Sequence, residues 1–240
     1  MSLYSKKEPQ VYKLDALKSY SEDERKLIME YLKIEKYYRY ALREMNAIVE
    51  NLDDYCENTF SHNPIHHIES RIKTPENIIE KINRRGYPMT IDSLKTNIYD
   101  VSGMRVICNY INDIYQIIAL LSKQKDIKVR LKKDYIISPK PSGYRSVHIV
   151  FDISIYFGSE PIIIPVEIQF RTIAMDMWAS LEHELRYKSN NEFTEYDKKC
   201  LKQYSDDLYE VDLNMQKIYI KKTTRDRDDD WLWFTCRKIR

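Results

Sequence analysis

The chain has 240 residues, 43% hydrophobic and 32% charged, with a formal net charge of only +2. That length suits one large domain, or one domain with helical additions, and the charge balance excludes a bulk polycation built for nucleic acid, so any basic site must be local. With four glycines and neither GxGxxG nor GxxxxGK[ST], the sequence also gives no support to a dinucleotide fold or a P-loop.

Residues 1–22 are polar and aperiodic and are expected to form a flexible terminus. From about Asp23 to Phe60 the spacing predicts a long helix. Leu27, Tyr31, Ile34, Tyr38, Ala41, Met45, Ile48, Leu52 and Tyr55 recur at alternating intervals of four and three, the narrow seam of a coiled-coil type. Such a seam packs either on its own domain or on another subunit. Ser61 to Pro64 ends it. Ile65 to Lys73 then alternates as a strand, with Glu69, Arg71 and Lys73 on one face. Thr74-Pro75 reads as an N-cap followed by the first helical residue. The helix it opens turns Ile78, Ile79 and Ile82 inward and carries Lys81, Arg84 and Arg85 elsewhere.

After a turn at Gly86-Tyr87-Pro88 and a short helix over Ile91–Asn97, Asp100 and Arg105 bracket Gly103 at the mouth of an apolar strand. A helix is predicted over Asn112–Gln124. A strand follows over Ile127–Ile137, broken at Lys132, Lys133 and Asp134. Ser138 to His148 is a stiff basic turn. Two prolines fix φ, Gly143 permits close approach, and Lys140, Tyr144 and Arg145 project from it. A cation beside an aromatic face suits a ligand with phosphates at one end and a flat base at the other.

A hairpin from about Ser146 to Arg171, turning near Gly158, brings in a strictly alternating strand. Glu167, Gln169 and Arg171 share one face, and Val166, Ile168 and Phe170 the other. A carboxylate there is costly to bury unless it is paired or holds a metal. Thr172 opens a helix to about Lys188, with Ala174, Trp178, Leu181 and Leu185 as its buried stripe and Asp176, Ser180, His183 and Tyr187 as a polar one. Phe193, Tyr196, Cys200, Tyr204, Leu208, Val211, Met215 and Ile218 form a regular stripe on a last helix reaching about Ile220. A charged tail follows, closing with Trp231, Trp233 and Phe234. Cys56, Cys108, Cys200 and Cys236 are scattered, without zinc-type spacing, and read as reduced thiols. No signal peptide or apolar run of membrane length is visible, so a cytoplasmic protein is expected, with no membrane partner.

Five segments in this order resemble the small alarmone synthetases, stand-alone relatives of the synthetase domain of the Rel/Spo stringent-response enzymes. They are Arg71-Ile72-Lys73-Thr74-Pro75-Glu76, Asp100-Val101-Ser102-Gly103-Met104-Arg105, Lys140 through His148, Val166-Glu167-Ile168-Gln169 with Arg171-Thr172, and Leu181-Glu182-His183 followed by Tyr187-Lys188. The resemblance covers about residues 65–190. It implies an α/β (α+β) fold of the nucleotidyltransferase-like synthetase type: a mixed sheet of about five strands, with long N- and C-terminal helices, in one domain over 23–222, followed by a tail at 223–240. It implies a pyrophosphokinase that moves the β,γ-diphosphate of ATP onto the ribose 3′-hydroxyl of GDP or GTP, with GMP a further possible acceptor, releasing AMP.

By the same resemblance, Asp100 is a magnesium ligand, and Glu167 either helps hold Mg2+ or polarises the 3′-hydroxyl. Arg71 and Arg105 sandwich adenine, and Lys73, Lys81 and Arg84 hold the ATP phosphates with Asn77 nearby. Tyr144 stacks on guanine. Lys133, Lys140 and His148 serve the acceptor's phosphates, and Gln169, Asp176 and His183 surround the acceptor. Asn77 stands where many relatives have serine, and Asp176 where several have asparagine, which bears on donor affinity and acceptor choice. The resemblance also implies synthesis without hydrolysis and a homotetramer, for which the seam at 27–55 would serve. Three rivals remain: a non-catalytic nucleotide- or RNA-binding relative, single-stranded RNA binding beside catalysis, and a nucleotidyltransferase, whose closely spaced Asp pair after a Gly-Ser turn is not found in the sequence.

Overall fold

A computed structural model describes residues 19–188 and 193–223. The aromatic tail, Cys236 and most of the expected N-terminal segment lie outside the described residues, as do the side chains of Tyr187 and Lys188. The elements are α1 (Glu22–Thr59), β1 (Ile65–Ile72), α2 (Pro75–Arg85), α3 (Ile91–Asn97), β2 (Ser102–Cys108), α4 (Ile111–Leu121), β3 (Ile127–Asp134), β4 (Val147–Tyr156), β5 (Pro161–Thr172), α5 (Ile173–Lys188) and α6 (Glu195–Thr223). No helix among the described residues is long and apolar enough to cross a membrane.

The chain divides into two compact units, residues 1–36 with 74–98, and residues 37–73 with 99–240. The first contains the start of α1, then α2 and α3, and buries Leu27, Ile28, Tyr31, Ile78, Ile79, Ile82 and Leu94. Its α2 starts as the sequence predicts. Thr74 is the N-cap and accepts from the Asn77 N–H, Pro75 follows, and Gly86 closes the helix at φ 66°. Glu24 on α1 accepts from Asn83 on α2 at 3.4 Å.

The second unit holds the five-stranded sheet, ordered β1-β2-β5-β4-β3, in which only β2 and β5 run parallel. Alternation decides its two faces. Met104, Val106, Ile149, Phe151, Val166, Ile168 and Phe170 are buried, while Arg105, Glu167 and Gln169 at intervening positions, with His148 next to Ile149, carry polar side chains on the other face. The rest of α1 joins this unit through Ser102 Oγ, which donates to the Tyr38 carbonyl at 2.9 Å. Tyr38, Ala41, Met45, Val49, Leu52 and Cys56 are all buried. Six of the nine seam residues are thus buried within the chain, while Ile34 and Ile48 are half-buried and Tyr55 at the end is exposed.

Three further expectations are corrected. Strand β3 runs unbroken through Lys132 and Lys133 to Asp134, because an edge strand can point successive cations at solvent from both faces. On α5 the buried residues are Met175, Trp178 and Ala179, and Leu181 and Leu185 are exposed. On α6 the predicted stripe is the outer one. Tyr196, Tyr204, Val211, Met215 and Ile218 are exposed, while the adjacent face docks through polar contacts. Trp178 Nε1 donates to the Leu201 carbonyl at 2.9 Å, Ser205 Oγ donates to the Gly143 carbonyl at 2.5 Å, and Asn112 N–H donates to Gln216 at 2.8 Å. Hydrophobic periodicity marks the apolar stripe but not what covers it.

The α6 dock also contains a titrating acid. Thr172 Oγ1 donates to Asp212 at 2.5 Å, yet burial dominates and pushes the Asp212 carboxyl up to about 6. The unfolded chain releases that proton near pH ~3.9. Stability is therefore lost as pH rises from about 4 through 6 and stays lost above. Asp212→Asn is expected to stabilise the protein at pH 7.5 by about 1 kcal/mol, the full shift being reduced by solvent screening at a partly exposed group. That gain should shrink by more than half at pH 4.5, as read from urea midpoints.

Candidate active site

The polar face of the sheet is organised by register into two rows that cross the strands. In the first, Arg71 on β1 stands opposite Gly103 on β2, which stands opposite Glu167 on β5. In the second, Glu69, Arg105, Gln169, His148 and Lys133 are successive partners across all five strands. Arg71, Asp100, Gly103, Arg105, Glu167 and Gln169 line one cleft. The glycine leaves the middle of the first row low, between an arginine and a carboxylate.

Charges in this cleft are already paired. Lys73 Nζ lies 2.9 Å from Asp100 Oδ2, both side chains being mostly buried. The backbone beside them is pinned, because the Lys73 N–H donates to the Val101 carbonyl at 2.8 Å. Arg105 donates to Glu69 at 3.1 Å across β1 and β2. Glu167 is held at both oxygens. His148 Nδ1 is 3.3 Å from Oε1, and Gln169 Nε2 donates to Oε2 at 2.9 Å.

The basic turn predicted over 138–148 sits beside this. Tyr144 OH is 2.7 Å from His148 Nε2 and accepts from Arg171 at 2.9 Å. Lys140 Nζ stands 4.5 Å from the Tyr144 ring centre and 4.7 Å from that of Tyr135. Tyr135 also meets His148 edge-on at 5.3 Å. Sequence reasoning did not single out Tyr135, and no local pattern marks it. The loop is clamped from behind by α6. Arg145 donates to Asp206 at 2.8 Å and lies 4.1 Å from the Tyr209 ring centre. Gly143 has φ 93°, and a Cβ there would come within 3.0 Å of Ser205 Cβ and 3.1 Å of Lys202 Cα. A side chain at 143 is excluded both by conformation and by space.

The structure thus gathers Arg71, Lys73, Asp100, Arg105, Lys133, Lys140, Tyr144, His148, Glu167 and Gln169 on one unit, on or beside one sheet face. Asp176 stands at the start of α5, accepting from Arg171 at 2.8 Å. His183 is exposed two turns further along α5. Asn77, Lys81 and Arg84 belong to α2 in the other unit, Arg84 being exposed beside Glu80 at 3.9 Å.

The chemistry available is charge neutralisation with one well-placed carboxylate. Among the described residues no group of three or more His, Cys, Asp or Glu side chains forms a metal cage. Three hard carboxylates nevertheless line the same cleft, Glu69, which is paired with Arg105, and Asp100 and Glu167. That donor set fits magnesium, which takes one or two carboxylates and completes its shell with water and substrate phosphates.

Comparison with known proteins gives a consistent picture. Residues 70–192 match the model of a region found in RelA/SpoT proteins. The GTP pyrophosphokinase YwaC of Bacillus subtilis is 38% identical over 190 residues, covering 79% of this chain and 87% of that protein. YjbM of the same organism, also a GTP pyrophosphokinase, is 33% identical over 184 residues, covering 75% and 84%. Small alarmone synthetase 1 from Bacillus subtilis, solved with its product pppGpp, superposes with a TM-score of 0.71 at 32% identity, over 77% of this chain and 93% of that one. Small alarmone synthetase 2 from the same organism gives 0.72 at 34%, over 80% and 99%.

Proposed function

The chain belongs to the RelA/SpoT family, and from that membership and the arrangement of its sheet face we infer that it is a GTP pyrophosphokinase of the small alarmone synthetase kind. It transfers the β,γ-diphosphate of ATP to the ribose 3′-hydroxyl of GDP or GTP, yielding AMP and ppGpp or pppGpp. The observation that carries this reading is the register itself. A carboxylate, Glu167, stands across Gly103 from Arg71, with Arg105 in the adjacent row. A hydroxyl is a poor nucleophile at neutral pH, so a fixed carboxylate beside it and cations around the transferred group supply what the reaction needs.

The residues then take these parts. Arg71 and Arg105 stack on adenine with their planar guanidinium groups. Lys73 holds donor phosphates. Tyr144 stacks on guanine, which takes the ring face where Lys140 now lies, and Lys140, Lys133 and His148 then meet the acceptor's phosphates. Glu167 accepts the 3′-hydroxyl proton. Asp100, with Glu167, would hold Mg2+, which when bound neutralises charge on the transferred phosphates. A homotetramer would use the exposed apolar stripes of α5 and α6 rather than the α1 seam, most of which is buried inside the chain.

Incubation with labelled ATP, magnesium and GDP, GTP or GMP in turn should yield AMP and a more highly phosphorylated guanosine product. Release of pyrophosphate instead would mean nucleotidyl transfer. Nucleotide binding without any transfer would leave a binding module.

A further inference from the structure

Five hydrogen bonds on the cleft side close into a ring. Arg171 Nη2 donates to Tyr144 OH at 2.9 Å and to Gln169 Oε1 at 2.8 Å. Tyr144 OH meets His148 Nε2 at 2.7 Å, and His148 Nδ1 meets Glu167 Oε1 at 3.3 Å. Gln169 Nε2 closes the ring on Glu167 Oε2 at 2.9 Å. With a neutral imidazole the direction of every bond follows from two ends, because a guanidinium only donates and an ionised carboxylate only accepts. Glu167 requires the imidazole hydrogen on Nδ1, which leaves Nε2 to accept the Tyr144 hydrogen, and Arg171 fills an acceptor site on the same hydroxyl. On the other branch Arg171 fixes the Gln169 carbonyl, which turns the Gln169 amide hydrogens toward Glu167.

Arg171 is itself only 5% exposed. Asp176 Oδ1, from the next element, accepts from its other nitrogen at 2.8 Å and anchors it from behind. Among the described residues, then, one buried cation stands at the end of both branches that reach Glu167.

We propose that Arg171 is the positioning residue of the transfer reaction, fixing Glu167 through a Tyr144–His148 branch and a Gln169 branch. The proposal rests on Glu167 being the group that acts on the acceptor hydroxyl. Arg171 need not touch either nucleotide. Its position also makes it a coupling element. Tyr144 is the guanine-stacking ring, so seating of the acceptor base and alignment of the carboxylate share one hydroxyl.

The test is a cycle of Arg171→Lys, Glu167→Gln and the double variant, with turnover, KM for each nucleotide and the tautomer of His148 from its ring 15N shifts. Lysine keeps the charge but cannot fork to Tyr144, Gln169 and Asp176 together. Arg171→Lys should lower kcat by about tenfold to a hundredfold, the scale of a misplaced reacting group, with KM for ATP and GDP within about threefold. The His148 signal should move from the Nδ1–H form toward a mixture. In the Glu167→Gln background the lysine substitution should cost nothing further. Tyr144→Phe, which keeps the stacking ring and cuts one branch, should move the same His148 signal and guards against a misfolded Arg171 variant. A wild-type kcat for Arg171→Lys beside an inactive Glu167→Gln overturns the proposal alone, as does a loss confined to KM or one that persists undiminished in the double variant. Full turnover by Glu167→Gln overturns the reading of Glu167 and the proposal with it.

Discussion

Glu167→Gln is expected to lower diphosphate transfer by about three to four orders of magnitude, the upper range for removing a general base. ATP and GDP should still bind within a few-fold of wild type. The substitution keeps size and shape but changes two things. The amide cannot take a proton from the 3′-hydroxyl. It also presents its own N–H groups to one of two donors, His148 Nδ1 or Gln169 Nε2, which at present both serve the carboxylate. Relief requires a turned glutamine or a switched imidazole. The loss should therefore fall on kcat, and raising nucleotide concentration should not restore it. Single-turnover transfer from labelled ATP, with calorimetric titration of each nucleotide, separates the two quantities. A variant that keeps a tenth of wild-type turnover would remove Glu167 from the chemistry and leave it as a structural partner of His148.

Much of this arrangement is legible in the order of the amino acids. Alternation alone places Glu167, Gln169 and Arg171 on one face of β5, because side chains on a strand have a period of two. Thr74-Pro75 marks the start of α2 for a reason internal to four residues. What cannot be read locally is register and cover. The Glu167–His148 contact exists because the β4–β5 hairpin pairs His148 with Gln169 and Val150 with Glu167; a slip of one residue would turn His148 to the opposite face. Arg171 therefore looks like one polar position among three until the pairing puts Tyr144 and Asp176 around it. The same holds for α6. Its exposed stripe is the more hydrophobic one, and its docked face is held by Ser205, Asp206, Tyr209 and Asp212, whose partners lie far away in sequence. Periodicity found the stripe but could not say which side of the helix it covers. For α1 it found the seam, and the structure puts most of that seam in the chain's own core.

The second large effect is expected at Asp100. Its carboxylate is 2.9 Å from Lys73 Nζ, and both side chains are mostly buried, 17% and 13% exposed. Two roles compete for this acid: partner of a buried lysine, and ligand of a magnesium ion carried in with the donor phosphates. Asp100→Asn removes the charge in both. The structural role predicts a stability loss, because Lys73 keeps its desolvation cost and loses the carboxylate 2.9 Å away; removal of one partner of a well-buried pair costs about 3–5 kcal/mol, and this pair, still partly solvated, should lose about 1–3. The metal role predicts a fall in turnover of about a thousandfold, the equivalent of about 4 kcal/mol of transition-state stabilisation, and a higher magnesium concentration for half-maximal rate.

The structural role is read from the double variant Lys73→Met with Asp100→Asn, which removes both charges and should recover most of the lost stability. Low turnover there does not by itself mark a metal ligand, since Lys73 also meets the phosphates; the metal role is read from the magnesium concentration for half-maximal rate in Asp100→Asn alone. Recovery of turnover together with stability would make Asp100 a structural partner only, and would leave the ion to Glu167 and Glu69, the other carboxylates lining the cleft. An unchanged magnesium requirement in Asp100→Asn at a measurable residual rate would point the same way.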